Sequence, residues 1–115
     1  MQKAARKAGF EHFMMKEIYE QPKAIRDTLN SVVKDGVIDF TDIDLTEEEI
    51  KKYSQIYIVA CGSAWHVGVE AQYVIEEMAQ IPVRVELASE FRYREMPLVK
   101  DGLVIVISQS GETAD

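Results

Sequence analysis

Three short apolar runs, placed between segments long enough for a helix or a loop, constrain the fold of this chain more than any other feature. The runs are Ile56 to Cys61, Ile81 to Leu87 and Leu103 to Ile107. Between the first two, apolar residues recur at the spacing of a helix that ends near Gln80. Parallel neighbours need a crossover between them, so this order is typical of a parallel sheet. The predicted fold class is therefore α/β, with a parallel sheet between helices.

The polarity of the runs predicts where each strand lies in the sheet. Leu103 to Ile107 is apolar at every position, so both of its faces should be buried and the strand should be central. The second run carries Arg84 and Glu86 between apolar residues, which favours a place nearer an edge. The segment from Glu90 to Pro97, which leads toward the third run, is predicted to be a loop or a short helical turn.

The residues before the first strand have a helical pattern. Apolar residues recur there at spacings of three, four and seven, at Phe10, Met14, Ile18, Ile25 and Leu29. Proline is tolerated in the first turn of a helix but not in its interior. We therefore predict one helix that ends near Glu20 and a second that begins at Pro22, or else a kink at this proline. A connector from Lys34 to Leu45 follows, and Thr46 then begins a short helix that reaches about Lys52.

Composition excludes several classes of partner. The chain has 115 residues, enough for one domain with a buried core. Its net charge is -7 and its basic residues are scattered, so no nucleic-acid partner is expected. No apolar run reaches the roughly 20 residues that span a bilayer, so no membrane partner is expected. The single cysteine, Cys61, allows no internal disulfide and favours a reducing, cytoplasmic location.

Small hydroxyl residues and glycines follow two of the three predicted strands. Cys61 is followed by Gly62, Ser63 and Ala64, and the third strand by Ser108-Gln109-Ser110-Gly111-Glu112-Thr113. Ligands of open α/β sheets bind beyond the carboxyl ends of the strands, where both loops should lie. A Ser- and Gly-rich turn that opens a helix offers backbone N–H and hydroxyl donors at the positive end of the helix dipole. The loops therefore predict an anion site made of neutral donors, which suits a sugar phosphate.

Other interpretations of single residues are simpler. One Ser or Thr at the start of a helix is usually only a cap, but five donors in two loops at one sheet edge favour a ligand. Neither loop has a P-loop lysine, so a nucleoside triphosphate is not expected. We interpret Cys61 as a buried strand residue and His66 as a surface or packing residue. Arg92 and Arg94 alternate with acidic residues, which favours an ion-pair network or a dimer contact. These residues do not form a complete acid–base pair.

Four segments of the chain resemble a known enzyme family. They are HFMMKEIYEQPKAIRDTL, CGSAWHVG, VELASEFRYRE and SQSGETAD. Together they resemble the glutamine:fructose-6-phosphate aminotransferases (isomerizing), or glucosamine-6-phosphate synthases, over nearly the whole chain from Gly9 onward. SQSGET alone indicates only the wider sugar isomerase (SIS) domain family. In the synthases a glutaminase domain releases ammonia, and two SIS domains use it to convert fructose 6-phosphate into glucosamine 6-phosphate.

The resemblance implies a set of substrate-binding residues. By matching position, the sugar-phosphate loop is Ser108, Gln109, Ser110 and Thr113. Ser63 and Ala64 stand where the family usually has Thr-Ser, so a phosphate contact at Ala64 could come only from its backbone N–H. No cofactor and no metal are implied. The family's catalytic residues, which are a glutamate base, a ring-opening histidine and a Schiff-base lysine, would lie beyond Asp115, so no catalytic residue is expected in this chain.

The resemblance also implies a domain organisation. Residues 1–54 would be a helical linker that leads into the isomerase half, and residues 55–115 an incomplete first SIS domain, truncated after its third strand. The parent protein would be an enzyme, whereas this fragment would be inactive. Its partners would be fructose 6-phosphate or glucosamine 6-phosphate, and further copies of itself in a homo-oligomer. The alternatives are a non-catalytic SIS module that senses a phosphosugar and a related phosphosugar isomerase or deglycase.

Overall fold

The chain divides into two compact units. The structure, a computed structural model, describes residues 11–112. The first unit lies within Met1–Thr46 and the second within Glu47–Asp115. The functional division into 1–54 and 55–115 stays a prediction. None of the helices in the described range is both long enough and apolar enough to cross a membrane.

The first unit is dominated by one helix, α1, over Phe13–Val32. Pro22 lies inside this helix, so the prediction of two helices that meet at Pro22 is wrong. Proline removes only one backbone donor, the partner of the Ile18 carbonyl, at a local cost of about 3 kcal/mol. Because no residue of α1 is buried, water can hydrate that carbonyl and the helix continues on both sides.

A small hairpin follows α1. Strands β1 (Val33–Lys34) and β2 (Val37–Ile38) pair antiparallel, and a 3-10 turn follows at Thr41–Ile43. The two residues between the strands, Asp35 and Gly36, have φ angles of 52° and 76°. Two positive φ angles are what a two-residue hairpin turn of type I′ requires. The sequence analysis treated this segment as a connector, although an Asp-Gly pair between apolar residues is the signal that predicts such a hairpin.

The second unit has the predicted alternation of strands and helices. Its elements in chain order are α2 (Glu47–Ile50), β3 (Gln55–Ala60), α3 (Ser63–Ala79), β4 (Val83–Leu87), α4 (Ala88–Tyr93) and β5 (Gly102–Ile107). The strands form one parallel sheet in the order β4-β3-β5. The α/β fold class with a parallel sheet and helices is therefore confirmed.

The position of one strand differs from the prediction. Within the described residues β3 lies between β4 and β5, and β5 pairs only with β3. The central place predicted for the third strand is not found in this part of the sheet, and for a complete sheet it stays a prediction. Val106 of β5 is 69% exposed. An apolar run shows that the faces of a strand avoid water, but it does not show which strands pair along its two edges. β4 lies at the other edge, as its polarity predicted.

The core lies between α3 and one face of the sheet. Ile56, Ile58 and Val83 form its buried centre, and Ala71 and Ile75 of α3 pack against them. Helix and sheet lie close together at Gly68, which is buried. A Cβ at Gly68 would lie 2.9 Å from Ile58 Cγ2 and 3.2 Å from Val85 Cγ1. The absence of a side chain at Gly68 therefore sets the distance between α3 and the sheet.

A buried carboxylate joins β4 to the end of α4. Glu86 is 9% exposed and lies 3.1 Å from an Arg84 nitrogen and 3.7 Å from an Arg94 nitrogen. The predicted ion-pair network therefore exists for Arg94, although its partner is Glu86. The Arg92 guanidinium carbon lies 5.1 Å from the centre of the Tyr93 ring.

Candidate functional site

The register of β3 and β5 brings two loops together. Ala60, the last residue of β3, lies opposite Ile107, the last residue of β5. The loops that follow border a cleft of about 190 Å³. The residues that line the cleft are Cys61, Gly62, Ser63, Ala64, Ile107, Ser108, Gln109 and Ser110. The carboxyl edge of the sheet, where ligands of open α/β sheets bind, therefore holds a polar cleft.

The first loop points the start of α3 toward the cleft. Gly62 has φ 60° and ψ −138°, a conformation that side-chain-bearing residues rarely adopt. This single residue turns the chain from β3 directly into α3, which is 17 residues long. The first N–H groups of a helix have no partner four residues earlier. The backbone amides of Ser63 and Ala64 are therefore donors at the positive end of a long helix.

The second loop is held by its own serine side chains. The backbone N–H of Gly111 donates to Ser108 Oγ at 2.9 Å, and the N–H of Glu112 donates to Ser110 Oγ at 3.2 Å. Gly111 has a φ of 70°, which lets the chain fold back over Ser108. A serine hydroxyl has two acceptor positions and one hydrogen. Each of these two hydroxyls already accepts a hydrogen bond from a backbone amide, and its own hydrogen is still available to donate one.

The structure brings together most of the residues that the sequence predicted for the site. Ser63, Ala64, Ser108, Gln109 and Ser110 all line the cleft, whereas Thr113 lies outside the described residues. Their role in binding stays a prediction. Cys61 is half-buried and also lines the cleft, so its interpretation as a buried strand residue was incomplete. The predicted first loop already includes Cys61 and Gly62, whereas Ile107 was placed only in the third strand, although its position at the strand end could have indicated it.

The described lining of the cleft has no acidic and no basic side chain. None of the eight is Asp, Glu, Lys, Arg or His. His66 packs edge-on against Trp65, with 5.1 Å between the ring centres, as expected of a packing residue. Backbone N–H groups and hydroxyls are therefore the groups that the cleft offers to a ligand.

A larger groove adjoins the cleft on the side of α4. It has a volume of about 500 Å³ and shares Cys61, Ile107 and Ser108 with the cleft. Its other walls include Val59 and Val106 of the sheet, with residues of α4. Most of this lining is apolar, although it includes Arg92, a charged hydrogen-bond donor.

Comparison with protein families matches residues 49–115 to the SIS domain. The chain belongs to the SIS domain family. The chain also resembles a solved structure, the C-terminal domain of glucosamine-fructose-6-phosphate aminotransferase from Francisella tularensis. That similarity has a TM-score of 0.85 at 46% identity, and it covers 94% of this chain and 30% of the other.

Curated relatives carry a related name. The chain is 59% identical over 113 residues to the glutamine–fructose-6-phosphate aminotransferase (isomerizing) of Clostridium acetobutylicum. It is 57% identical over 114 residues to the protein of the same name from Caldanaerobacter subterraneus. Both similarities cover 97% of this chain and 19% of the relative. The chain therefore spans about a fifth of the length of these relatives. The family resemblance identified from the four sequence segments is thereby confirmed.

Proposed function

We propose that this chain is the sugar-phosphate-binding part of the isomerase half of a glucosamine-6-phosphate synthase. The complete enzyme would make glucosamine 6-phosphate from fructose 6-phosphate and ammonia released from glutamine. The observation that carries the proposal is the single cleft bordered by Ser63, Ser108 and Ser110. The relatives that are 59% and 57% identical support the choice of reaction.

The donors of the cleft suit a phosphoryl group. A phosphate monoester has three terminal oxygens, and each accepts more than one hydrogen bond. The backbone amides of Ser63 and Ala64 would meet it from one side, and the hydroxyls of Ser108 and Ser110 from the other. The helix dipole of α3 favours the negative charge at this point. The phosphate would thus be fixed at the sheet edge with the sugar carbons directed away from it.

In this proposal the chain binds and orients the substrate without moving protons. The described cleft offers hydroxyls and amides, whereas opening a sugar ring and shifting its carbonyl need an acid and a base. Those groups would come from other parts of the enzyme. We also propose a cytoplasmic homo-oligomer, and the use of a single cysteine, Cys61, in the whole sequence supports a reducing compartment.

The test uses a chimera of the Clostridium acetobutylicum relative, in which this chain replaces the matching 113 residues. Fructose 6-phosphate binding is measured by calorimetry and glucosamine 6-phosphate formation by product assay. Each of Ser108→Ala and Ser110→Ala should weaken binding about 5- to 10-fold, because each removes one hydrogen bond to the phosphate. The matched control is Ser89→Ala, an exposed serine of α4 that does not line the cleft, and it should bind normally.

The results separate the competing functions. Equal affinity in Ser108→Ala, Ser110→Ala and Ser89→Ala would contradict a phosphate site in the cleft. A chimera that binds fructose 6-phosphate through these serines but makes no product would favour a non-catalytic sensing module. Product formation that falls with the two serine variants supports the synthase.

A further inference from the structure

We propose that the cleft selects oxyanions that carry no proton. It would bind the dianion of a phosphate monoester in preference to the monoanion, and it would also accept a sulfate monoester. This inference rests on the proposed function and adds the protonation state and chemical class of the bound head group. It follows from which hydrogen-bonding positions of the cleft are already occupied.

The serine hydroxyls of the second loop are biased toward donating. Ser108 Oγ accepts a hydrogen bond of 2.9 Å from the Gly111 amide, and Ser110 Oγ accepts one of 3.2 Å from the Glu112 amide. An oxygen that already accepts an N–H has one acceptor position left, whereas its hydrogen remains available. A ligand oxygen that carries no proton can accept a hydrogen bond from the serine O–H without disturbing the turn. A ligand O–H has only the one remaining acceptor position on each of these oxygens, whereas a bare oxygen can also use the backbone donors of the cleft.

The first loop adds two backbone donors, and the side chains of Ser63 and Gln109, which can donate or accept, also line the cleft. The backbone amides of Ser63 and Ala64 cannot accept a hydrogen bond. Ala64 has no hydroxyl, so this position lacks the acceptor that a serine would bring. Gln109 can present its NH₂ group to an anion, because the amide can turn either end outward. The described lining holds no carboxylate to accept the proton of a phosphoryl O–H.

The lack of a cation in the described lining extends the selectivity to sulfate. None of the eight lining residues is Lys, Arg or His. No ion pair with a lining side chain therefore stabilises the second negative charge of a phosphate. The dipole of α3 favours negative charge in general, so the lining side chains discriminate by the absence of a proton rather than by ion pairing. A sulfate monoester has one charge and no proton at neutral or mildly acidic pH. It therefore presents the same set of bare oxygens to the donors.

Other ionisable protein groups lie near the cleft, and the design must separate any effect that they have. Cys61 lies in the lining, His66 in the first turns of α3, Glu112 beside the second loop and Arg92 in the adjoining groove. A sulfate ester does not change its own charge between about pH 5 and pH 8, whereas a phosphate monoester loses a proton near pH 6. Any change shared by the two ligands therefore belongs to the protein.

The experiment compares glucose 6-phosphate with glucose 6-sulfate. Binding is measured at about pH 5 and about pH 8 on the 115-residue chain, by NMR of the Gly111 and Glu112 amides, and on the chimera by calorimetry. Only about a tenth of the phosphate ester is dianionic at the lower pH. The phosphate ester should therefore bind about tenfold more weakly there, relative to the sulfate ester.

A variant with an added acceptor should reverse the preference for oxyanions without a proton. Gln109→Glu places a carboxylate acceptor in the cleft while keeping the size of the side chain. It should weaken the sulfate ester by at least tenfold and the monoprotonated phosphate ester by much less, because only the latter can donate a proton to the new carboxylate.

Each outcome bears on a different claim. A relative affinity that stays constant between the two pH values, or binding of phosphate without any binding of sulfate, would overturn the selectivity while leaving the proposed function in place. If neither ester binds to the chain or to the chimera, the proposed function fails as well. A tenfold change in relative affinity, reversed by Gln109→Glu, supports the inference.

Discussion

The Tyr57 hydroxyl accepts a hydrogen bond of 3.0 Å from the backbone amide of Val99. Tyr57 lies on the central strand and is 2% exposed, whereas Val99 belongs to the connector between α4 and β5. A Cβ at Gly102, the first residue of β5, would lie 2.8 Å from Tyr57 Cε2. This ring therefore fixes the path of the connector that leads into β5, and through β5 it positions Ser108.

Replacing Tyr57 with Phe should lower the free energy of unfolding by about 1 to 2 kcal/mol, because the Val99 amide loses its acceptor in a partly buried place. Urea denaturation of the 115-residue chain measures the change. Tyr73→Phe is the matched control, since Tyr73 is 64% exposed, and it should have an effect below about 0.5 kcal/mol. Equal stability of the two variants would show that the Val99 bond contributes nothing.

Replacing Gly68 with Ala should also destabilise the fold, although alanine is the better helix former. The new methyl group would overlap Ile58 and Val85, and overpacking of a core costs about 1 to 3 kcal/mol. The gain in helix propensity is only about 1 kcal/mol. Glu70→Ala, on the exposed part of the same helix, is the control and should be nearly neutral. A Gly68→Ala variant more stable than the original chain would mean that α3 can move away from the sheet without cost.

Ala64→Ser should strengthen the binding of fructose 6-phosphate to the chimera by about two- to tenfold, because it adds a hydroxyl donor to the lining of the cleft. Calorimetry measures the affinity. The control is Ala79→Ser, at the exposed far end of α3, which should leave the affinity unchanged. Unchanged or weaker binding in Ala64→Ser would place the phosphate away from the first turn of α3.

The pKa of Glu47 should lie below its ordinary value of 4.5, first because Lys51 donates a hydrogen bond to its carboxylate and second because the charges attract. Lys51 Nζ lies 2.8 Å from Glu47 Oε1. A lowered pKa in the folded state stabilises the fold above the ordinary value, and this contribution is lost as the pH falls through the lowered value.

An NMR titration of the Glu47 carboxyl carbon tests this sign. In Lys51→Met the midpoint should rise to about the ordinary value, whereas Lys52→Met should leave it low. The same midpoint in the original chain and in Lys51→Met would show that the pair does not form in solution.

Local patterns were sufficient to predict many of the elements of the second unit. The helix after β3 was expected to end near Gln80 and ends at Ala79, and the third strand was expected from Leu103 and begins at Gly102. Such boundaries depend on neighbours within a few residues, such as the glycine after β3 and the apolar period of α3. The continuous helix through Pro22 could not be predicted in the same way, because it depends on whether the freed carbonyl can reach water.

The amino-acid sequence alone determined the strands and helices of the second unit, the two hydroxyl-rich loops and the family resemblance, because each is a property of residues close together along the chain. Only the tertiary structure decided that β3 lies between β4 and β5, and that Ala60 is opposite Ile107. It also decided that the hydroxyl oxygens of Ser108 and Ser110 each accept a hydrogen bond from a backbone amide. Strand pairing joins residues 27 positions apart in β3 and β4 and 47 positions apart in β3 and β5. Its energy depends on how whole faces pack, which no local pattern records.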